Sequence, residues 1–423
     1  MRLPKRLPLI SRLPAPLRFA AVGRVLAYWR AERRTILEGF VAVWISSAGD
    51  LTSGIALGAM THTLQLLPGL IVLVPAAIGM RGNIFGALGS RLGTALHSGL
   101  FEPTLRRPSL LYQNIYAVTV LSAGVSVALG VLAKIVSVAF GVRSMTVTDF
   151  IAISIIGGVI SSIVVGAITV GLAIVANRRG WDLDNVSGPL VTAAGDMVTI
   201  PSLYLATFVI HVPGVAVGVT LVAAAVAVFV TVRGLTTDLA TARRAIRESL
   251  PMLLIAATID VVAGLVIDKR LDSLVKLPAL LILIPPFLED AGSLGAILSA
   301  RLSSKLHLGA VSPSRFPESP ALLDFTLVFL WALSVFFLVG NTAHFVALFF
   351  HKAGPSLLTM IGISLLAGYI AAVGAVVVAY YTAIATYRFG LDPDNHGIPL
   401  ITSSMDLIGV IALVVALVAF RLA

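Results

Sequence analysis

Apolar stretches long enough to cross a roughly 30 Å hydrocarbon layer recur eleven times in this chain of 423 residues, and little else constrains its fold as strongly. They lie at about 37–62, 66–92, 112–141, 147–176, 186–210, 213–233, 250–268, 275–299, 321–350, 356–387 and 396–421. Hydrophobic residues make up 58% of the sequence and charged ones 12%, against roughly 25% charged in soluble domains. The expected fold is an all-α polytopic membrane protein. The basic start, MRLPKRLPLISRLPAPLRFA, is interrupted by prolines and precedes any apolar run, so a cleaved signal peptide is not expected. Cysteine is absent, which excludes disulfides, iron–sulfur clusters and thiolate metal sites.

The sequence also repeats itself without gaps at a shift of 210 residues. Pro75–Gly99 against Pro285–Gly309 gives 8 identities in 25 positions, and Asp182–Asp196 against Asp392–Asp406 gives 7 in 15. Arg33, Arg34, Glu38 and Asp50 align with Arg243, Arg244, Glu248 and Asp260. The expected organisation is a basic tail (1–34), a first five-span repeat (35–210), a connecting span and loop (211–242) and a second five-span repeat (243–423). Five spans alone would invert the second copy. The sixth restores its orientation, so the repeats are expected to be parallel, with equivalent residues facing one another across a pseudo-two-fold axis along the membrane normal.

Loops on the cytoplasmic side carry the excess of Lys and Arg, and the eleven-span arrangement satisfies this rule with the N-terminus inside. Lys5, Arg6, Arg30, Arg33, Arg34, Arg106, Arg107, Arg178, Arg179, Arg233, Arg243, Arg244, Arg247, Lys305 and Arg315 then fall on one side, leaving mainly Arg143, Lys269, Arg270, Lys276 and Lys352 on the other. The net charge of +10 is accordingly read as orientation in a cell membrane and contact with anionic lipid; no nucleic-acid-binding module is visible.

Several ionisable residues fall at mid-depth, where a charge costs at least about 3 kcal/mol unless it faces a polar cavity or a partner. At a rise of 1.5 Å per residue, Asp196 lies about 18 Å beyond the Asp184 loop, and Asp406 sits at the same depth in the second copy. Asp50, Asp260, Glu289 and Asp290 reach similar depth. Two readings compete: an acidic path for cations, or carboxylates that pair with buried bases and cap helices. Arg81, whose counterpart is Ala291, is the one strong base at that depth, and a structural lock with Glu289 or Asp290 is one expectation for it.

The segments WDLDNVSGP and LDPDNHGIP read as helix-start turns, with Asp or Asn capping and Pro189 or Pro399 in the first turn. Asp182, Asp184, Asn185, Asp392, Asp394 and Asn395 also form a candidate acidic vestibule that concentrates cations. Gly79, Gly82, Gly86 and Gly89 have helix-packing spacing. Asn83, with Ser293 as its counterpart, adds an amide oxygen, and Thr192 and Thr402 share a face with the aspartates one turn later. Oxygen ligands with neither thiolate nor a histidine cluster favour a hard divalent cation; His97 and His307 lie near span ends.

PAAIGMRGNIFGALGSRLGT followed by DLDNVSGPLVTAAGD resembles the MgtE and solute-carrier 41 family of magnesium transporters, and the likeness occurs once per repeat. The resemblance implies Mg²⁺ transport, with Mn²⁺, Co²⁺ or Zn²⁺ as competing ions, and no catalytic activity or bound cofactor. It implies that Asp196 and Asp406 are the principal ion ligands, that Asn83 is the motif's asparagine, and that one tandem chain replaces a homodimer of single units, without CBS domains. The second copy departs from the pattern at Gly292–Ser293 and at Glu289–Asp290, and the first at Arg81. A proton- or sodium-coupled transporter of another substrate remains an alternative reading of the unpaired acids. An intramembrane aspartyl protease is a remoter one, because Ala193 and Met405 break the Gly-x-Gly-Asp pattern.

Overall fold

Within hydrocarbon the backbone must satisfy its own hydrogen bonds, and this chain does so with helices alone. The computed structural model describes residues 15–179, 183–210 and 214–422, and no β-strand occurs among them. The helices are α1 (Ala15–Ala31), α2 (Arg33–Ala59), α3 (Thr61–Leu66), α4 (Leu70–His97), α5 (Leu110–Ala139), α6 (Val147–Arg179), α7 (Leu183–Ile210), α8 (Val215–Leu235), α9 (Ala240–Asp268), α10 (Leu271–Lys276), α11 (Pro278–His307), α12 (Ser319–Phe349), α13 (Leu357–Phe389) and α14 (Ile398–Ala419). Eleven of these are long and apolar enough to span a bilayer, and the protein is an all-α polytopic membrane protein.

The 210-residue register extends to the elements themselves: α3 and α10 start at Thr61 and Leu271, and α6 and α13 run from Val147 and Leu357 to Arg179 and Phe389. At 33 residues each, α6 and α13 are roughly 50 Å long, so they tilt or project beyond the hydrocarbon. Helices also continue past the ends of the apolar runs. α9 begins at Ala240 rather than near 250, because the polar stretch ATARRAIRES keeps helical propensity after hydropathy has fallen. The expected tail contains α1, with Pro16 in its first turn, where a missing N–H costs nothing.

The two repeats exchange their first helices. α2 packs on its own α7 and on α11 and α12 of the second repeat; its counterpart α9 packs on its own α14 and on α4 and α5 of the first. Each crossing is close enough to exclude a side chain. A Cβ on Gly54 would strike the backbone carbonyl of Ile282, and one on Gly264 would strike the backbone of Val72, the same contact 210 residues apart. Without a hydrophobic driving force between helices in lipid, such backbone approach supplies the packing. α4 and α11 are the most enclosed spans. The connecting helix α8 is the most exposed and lies outside α5 and α6.

One end of the second repeat is pinned by α1. The Tyr28 hydroxyl donates to Asp324 Oδ1 at 2.5 Å, and Arg301 donates to the same oxygen at 2.9 Å, to Tyr28 at 3.0 Å and to Glu32 at 3.2 Å. Lys305 reaches Asp324 Oδ2 at 2.6 Å, and Trp29 Nε1 donates to Thr326. Burial, reinforced by the Asp324 carboxylate, raises the pKa of the Tyr28 hydroxyl above its usual value, which keeps it a donor. The first repeat shows no such cluster among the described residues: Arg91 donates to Asn114, the counterpart of Asp324, at 2.9 Å.

If the exchanged crossings hold the bundle together, Gly54→Leu and Gly264→Leu each lower stability by about 3 kcal/mol or more, within or beyond the usual cost of overpacking. Gly218→Leu, where nothing lies within 4 Å, serves as the control. Thermal unfolding of the detergent-solubilised protein should shift downward for the first two alone; equal shifts in all three would contradict the assignment.

Candidate functional site

A cavity of about 620 Å³ lies between α2, α4 and α7 of the first repeat and α11 and α14 of the second. Its walls carry equivalent residues from both copies: Pro75 and Pro285, Gly82 and Gly292, Asn83 and Ser293, Thr192 and Thr402, Asp196 and Asp406. The cavity therefore follows the axis that relates the repeats. It extends to Ser90 and Thr94 near the end of α4 and to Ile398 and Pro399 at the start of α14.

The aspartates meet in pairs within each repeat. Asp50 on α2 lies beside Asp196 on α7, and Asp260 on α9 lies beside Asp406 on α14. Asp50, Asp196 and Asp406 line the cavity; Asp260, on α9 outside the cavity wall, sits behind Asp406. Gly79 makes room for the second pair, since a Cβ there would lie 2.9 Å from Asp260 Oδ2 and 3.6 Å from Asp406 Oδ2. Its counterpart in the second repeat is Glu289, whose carboxylate lines the cavity and faces Asp50, Asp196 and Asp406.

These carboxylates have few partners. Asp50 approaches Asp196, and Ser403 and Asp406 approach Asp260, but no hydrogen bond of regular geometry reaches either side-chain oxygen of Asp196 or Asp260 or Oδ1 of Asp50, and no ion pair among the described residues involves any of them. Ser46 offers Asp50 a long contact of 3.5 Å, and Ser53 donates to the backbone carbonyl of Asp196 rather than to its side chain. Among the described residues no three acidic or imidazole groups converge tightly enough to grip a bare ion. The arrangement suits a cation that keeps much of its water shell and meets the carboxylates through it.

Arg81 does not form the expected lock. Its guanidinium points to the opposite side of α4, donating to Ser162 at 2.7 Å and to Ser126 at 3.1 Å, because position 81 is rotated about 200° from Gly79 on the helix. Asp290 accepts a hydrogen bond from Ser47 and does not line the cavity, unlike its neighbour Glu289. Asn83 does line it, and its Oδ1 accepts from Thr402 at 3.3 Å across the repeat boundary, while its Nδ2 has no partner. Thr402 also contacts the carbonyls of Ile398 and Pro399 on its own helix.

Of the candidate vestibule, Asp182 lies outside the described residues, as do the side chains of Asp184, Asn185 and Asp394. Asp392 is exposed, and Asn395 Nδ2 bridges Asp392 at 3.2 Å and Glu248 at 3.3 Å. His307 contacts the Ser303 carbonyl and packs edge-on against Tyr387, and neither His97 nor His307 lines the cavity. Sequence reasoning overlooked Ser46, Ser47 and Ser53 because their counterparts at 256, 257 and 263 are alanines; their spacing around Asp50 on one helix was the available signal.

The profile of the MgtE family, described as divalent cation transporter, matches residues 74–206 and again 284–416. Solute carrier family 41 member 3 of Rattus norvegicus is 24% identical over 407 residues, covering 89% of this chain and 85% of that protein. The Mus musculus member 3 is 26% identical over 412 residues, covering 89% and 81%. Solute carrier family 41 member 2 of Homo sapiens is 24% identical over 410 residues, covering 88% and 68%. No solved structure matches the chain significantly.

Because the chain contains no cysteine, single thiols report the cavity without background. Ser293→Cys and Asn83→Cys should react with a water-soluble methanethiosulfonate at least about tenfold faster than Ser137→Cys, whose position is fully buried. Equal rates would mean that the cavity is closed to water.

Proposed function

The chain belongs to the MgtE family of divalent cation transporters, and from that premise we propose that it moves Mg²⁺ across a cell membrane through the acidic cavity between its repeats. One observation carries this reading: carboxylates from both repeats meet at the cavity with no base to neutralise them. Mg²⁺ dehydrates reluctantly and favours octahedral oxygen coordination. A volume of about 620 Å³ leaves room for a hydrated ion between Asp196 and Asp406. Asp50 and Glu289 complete the wall on the Asp196 side, Asp260 supports Asp406 from behind, and Asn83, Thr192 and Thr402 offer neutral oxygens to the water shell. Mn²⁺, Co²⁺ and Zn²⁺ are the competing substrates, since carboxylate and amide oxygens discriminate weakly among small divalent ions.

The Lys and Arg asymmetry supports a cytoplasmic N-terminus beside anionic lipid. On that orientation Asp392, Glu248 and Asn395 stand at the cytoplasmic mouth and raise the local cation concentration. Since both walls come from one polypeptide, a single chain completes the path.

Uptake of Mg²⁺ into proteoliposomes tests the site. Asp196→Asn and Asp406→Asn should each reduce the initial rate about tenfold and the double variant about a hundredfold; wild-type uptake by the double variant would exclude these residues as ligands. For orientation, an N-terminal epitope should become accessible to antibody only after cells are permeabilised. Access in intact cells would reverse the assignment.

A further inference from the structure

A second cavity, of about 1060 Å³, lies on the other side of α4, between α5, α6 and the connecting helix α8. Its walls are apolar over most of their extent, from Pro103, Leu105 and Leu111 at one end to Gly218 on α8. Halfway along, Ser122, Ser126 and Ser162 interrupt this surface, with Arg81 directly behind them. Arg81 is 1% exposed and, among the described residues, bonds only to neutral hydroxyls, with no partner for its Nε. Ser126 and Ser162 accept from the guanidinium, which leaves each O–H proton free to donate onward. Ser122, itself 7% exposed, has no partner for its hydroxyl. No Asp or Glu lines this cavity.

The second repeat shows what packing requires when no such group is needed. The counterparts of Arg81, Ser122, Ser126 and Ser162 are Ala291, Ala332, Phe336 and Ala372, so all four polar positions become apolar together. Phe336 fills the space there, packed on Phe287 at 4.9 Å and against Gly368, the counterpart of Gly158 beside Arg81. A buried guanidinium in a membrane span is costly without an anionic partner, and helix packing at this site manages without one.

We propose that this cavity binds a long-chain carboxylate, its acyl chain lying against α5, α6 and α8 and its carboxylate accepting hydrogen bonds from Ser122, Ser126 and Ser162 in the field of Arg81. The walls match such a ligand: mostly apolar, with a few convergent donors and one cation. Depth selects a single-chain acid over a phospholipid. Arg81 lies about 17 Å along α4 from Leu70, so a phospholipid would have to draw its glycerol phosphate and second chain into the hydrocarbon.

Photolabelling with a diazirine analogue of palmitate in phosphatidylcholine proteoliposomes, read by peptide mass spectrometry, tests this. Adducts should fall on α5, α6 and α8, and unlabelled palmitate should compete while methyl palmitate does not. Labelling should drop about tenfold in Ser126→Ala/Ser162→Ala, which removes two donors to a charged group. It should drop similarly in Val222→Trp, which fills the cavity from an exposed position on α8. Arg81→Gln should abolish it; if that variant does not fold, the serine pair decides. Equal competition by the methyl ester, or labelling indifferent to the serine pair, would reduce the cavity to a surface wetted by bilayer hydrocarbon. Displacement by phosphatidylglycerol but not by palmitate would also overturn the proposal.

Discussion

Gly54 against Ile282 and Gly264 against Val72 are the contacts on which the rest of the molecule depends. Each repeat gives its first helix to the other, so neither five-span unit is complete alone. Asp50 lies one helical turn before Gly54, and Asp260 one turn before Gly264, on the same helix faces. Seating the glycine on the backbone of the opposite repeat therefore turns the aspartate toward the centre of the bundle. There it meets Asp196 or Asp406 from the last span of its own repeat. The close packing that holds the halves together is also what assembles carboxylates from four helices, and no separate device is needed to aim them.

Symmetry sets the frame, and divergence at a few positions sets the chemistry. Where the first repeat has Gly79, giving space to the Asp260–Asp406 pair, the second has Glu289, adding charge beside Asp50 and Asp196. Glu289 thus adds a fifth carboxylate that faces Asp406 as well as Asp50 and Asp196. The reverse substitution lies two residues further on, Arg81 against Ala291, but its charge leaves by the far side of α4. The same helix leaves glycines and Asn83 to the acidic cavity and turns its one buried base toward the other. A guanidinium turned inward would have cancelled part of the acidic field.

Much of this was legible in the sequence because its causes are local. Apolar length marked the eleven spans, and polar identities at a constant shift singled out Asp196 and Asp406, both of which line the cavity, although each meets the aspartate of its own repeat's first helix. The direction of Arg81 was misjudged because charge complementarity was weighed above rotation: Gly79, Gly82, Asn83 and Gly86 mark one face of α4, and position 81 falls opposite. Asp290 fails for the same reason, lying about 100° from Glu289. The exchange of α2 and α9 has no sequence signature beyond two glycines. α1 was hidden by Pro16 and the prolines before it in the sequence and by the polar residues at its end, Tyr28 and the adjoining Glu32, that fix it to Asp324 and Arg301.

On the function proposed above, five carboxylates gathered within the bundle without a neutralising base among the described residues make the cation part of the architecture as well as its cargo. Each of these carboxyls, where it is ionised, costs several kcal/mol in a low-dielectric interior, and hydrogen bonds from Ser46, Ser47 and Ser53 offset little of it, since two of the three reach Asp290 or a backbone carbonyl. A bound divalent ion relieves this repulsion in proportion to its occupancy, by the same linkage that ties any ligand to the state that binds it. The affected contacts are those of α2 with α7 and of α9 with α14, which join the exchanged helices to their own repeats. On the Mg²⁺ reading, cation occupancy and the closeness of the two halves are then one equilibrium.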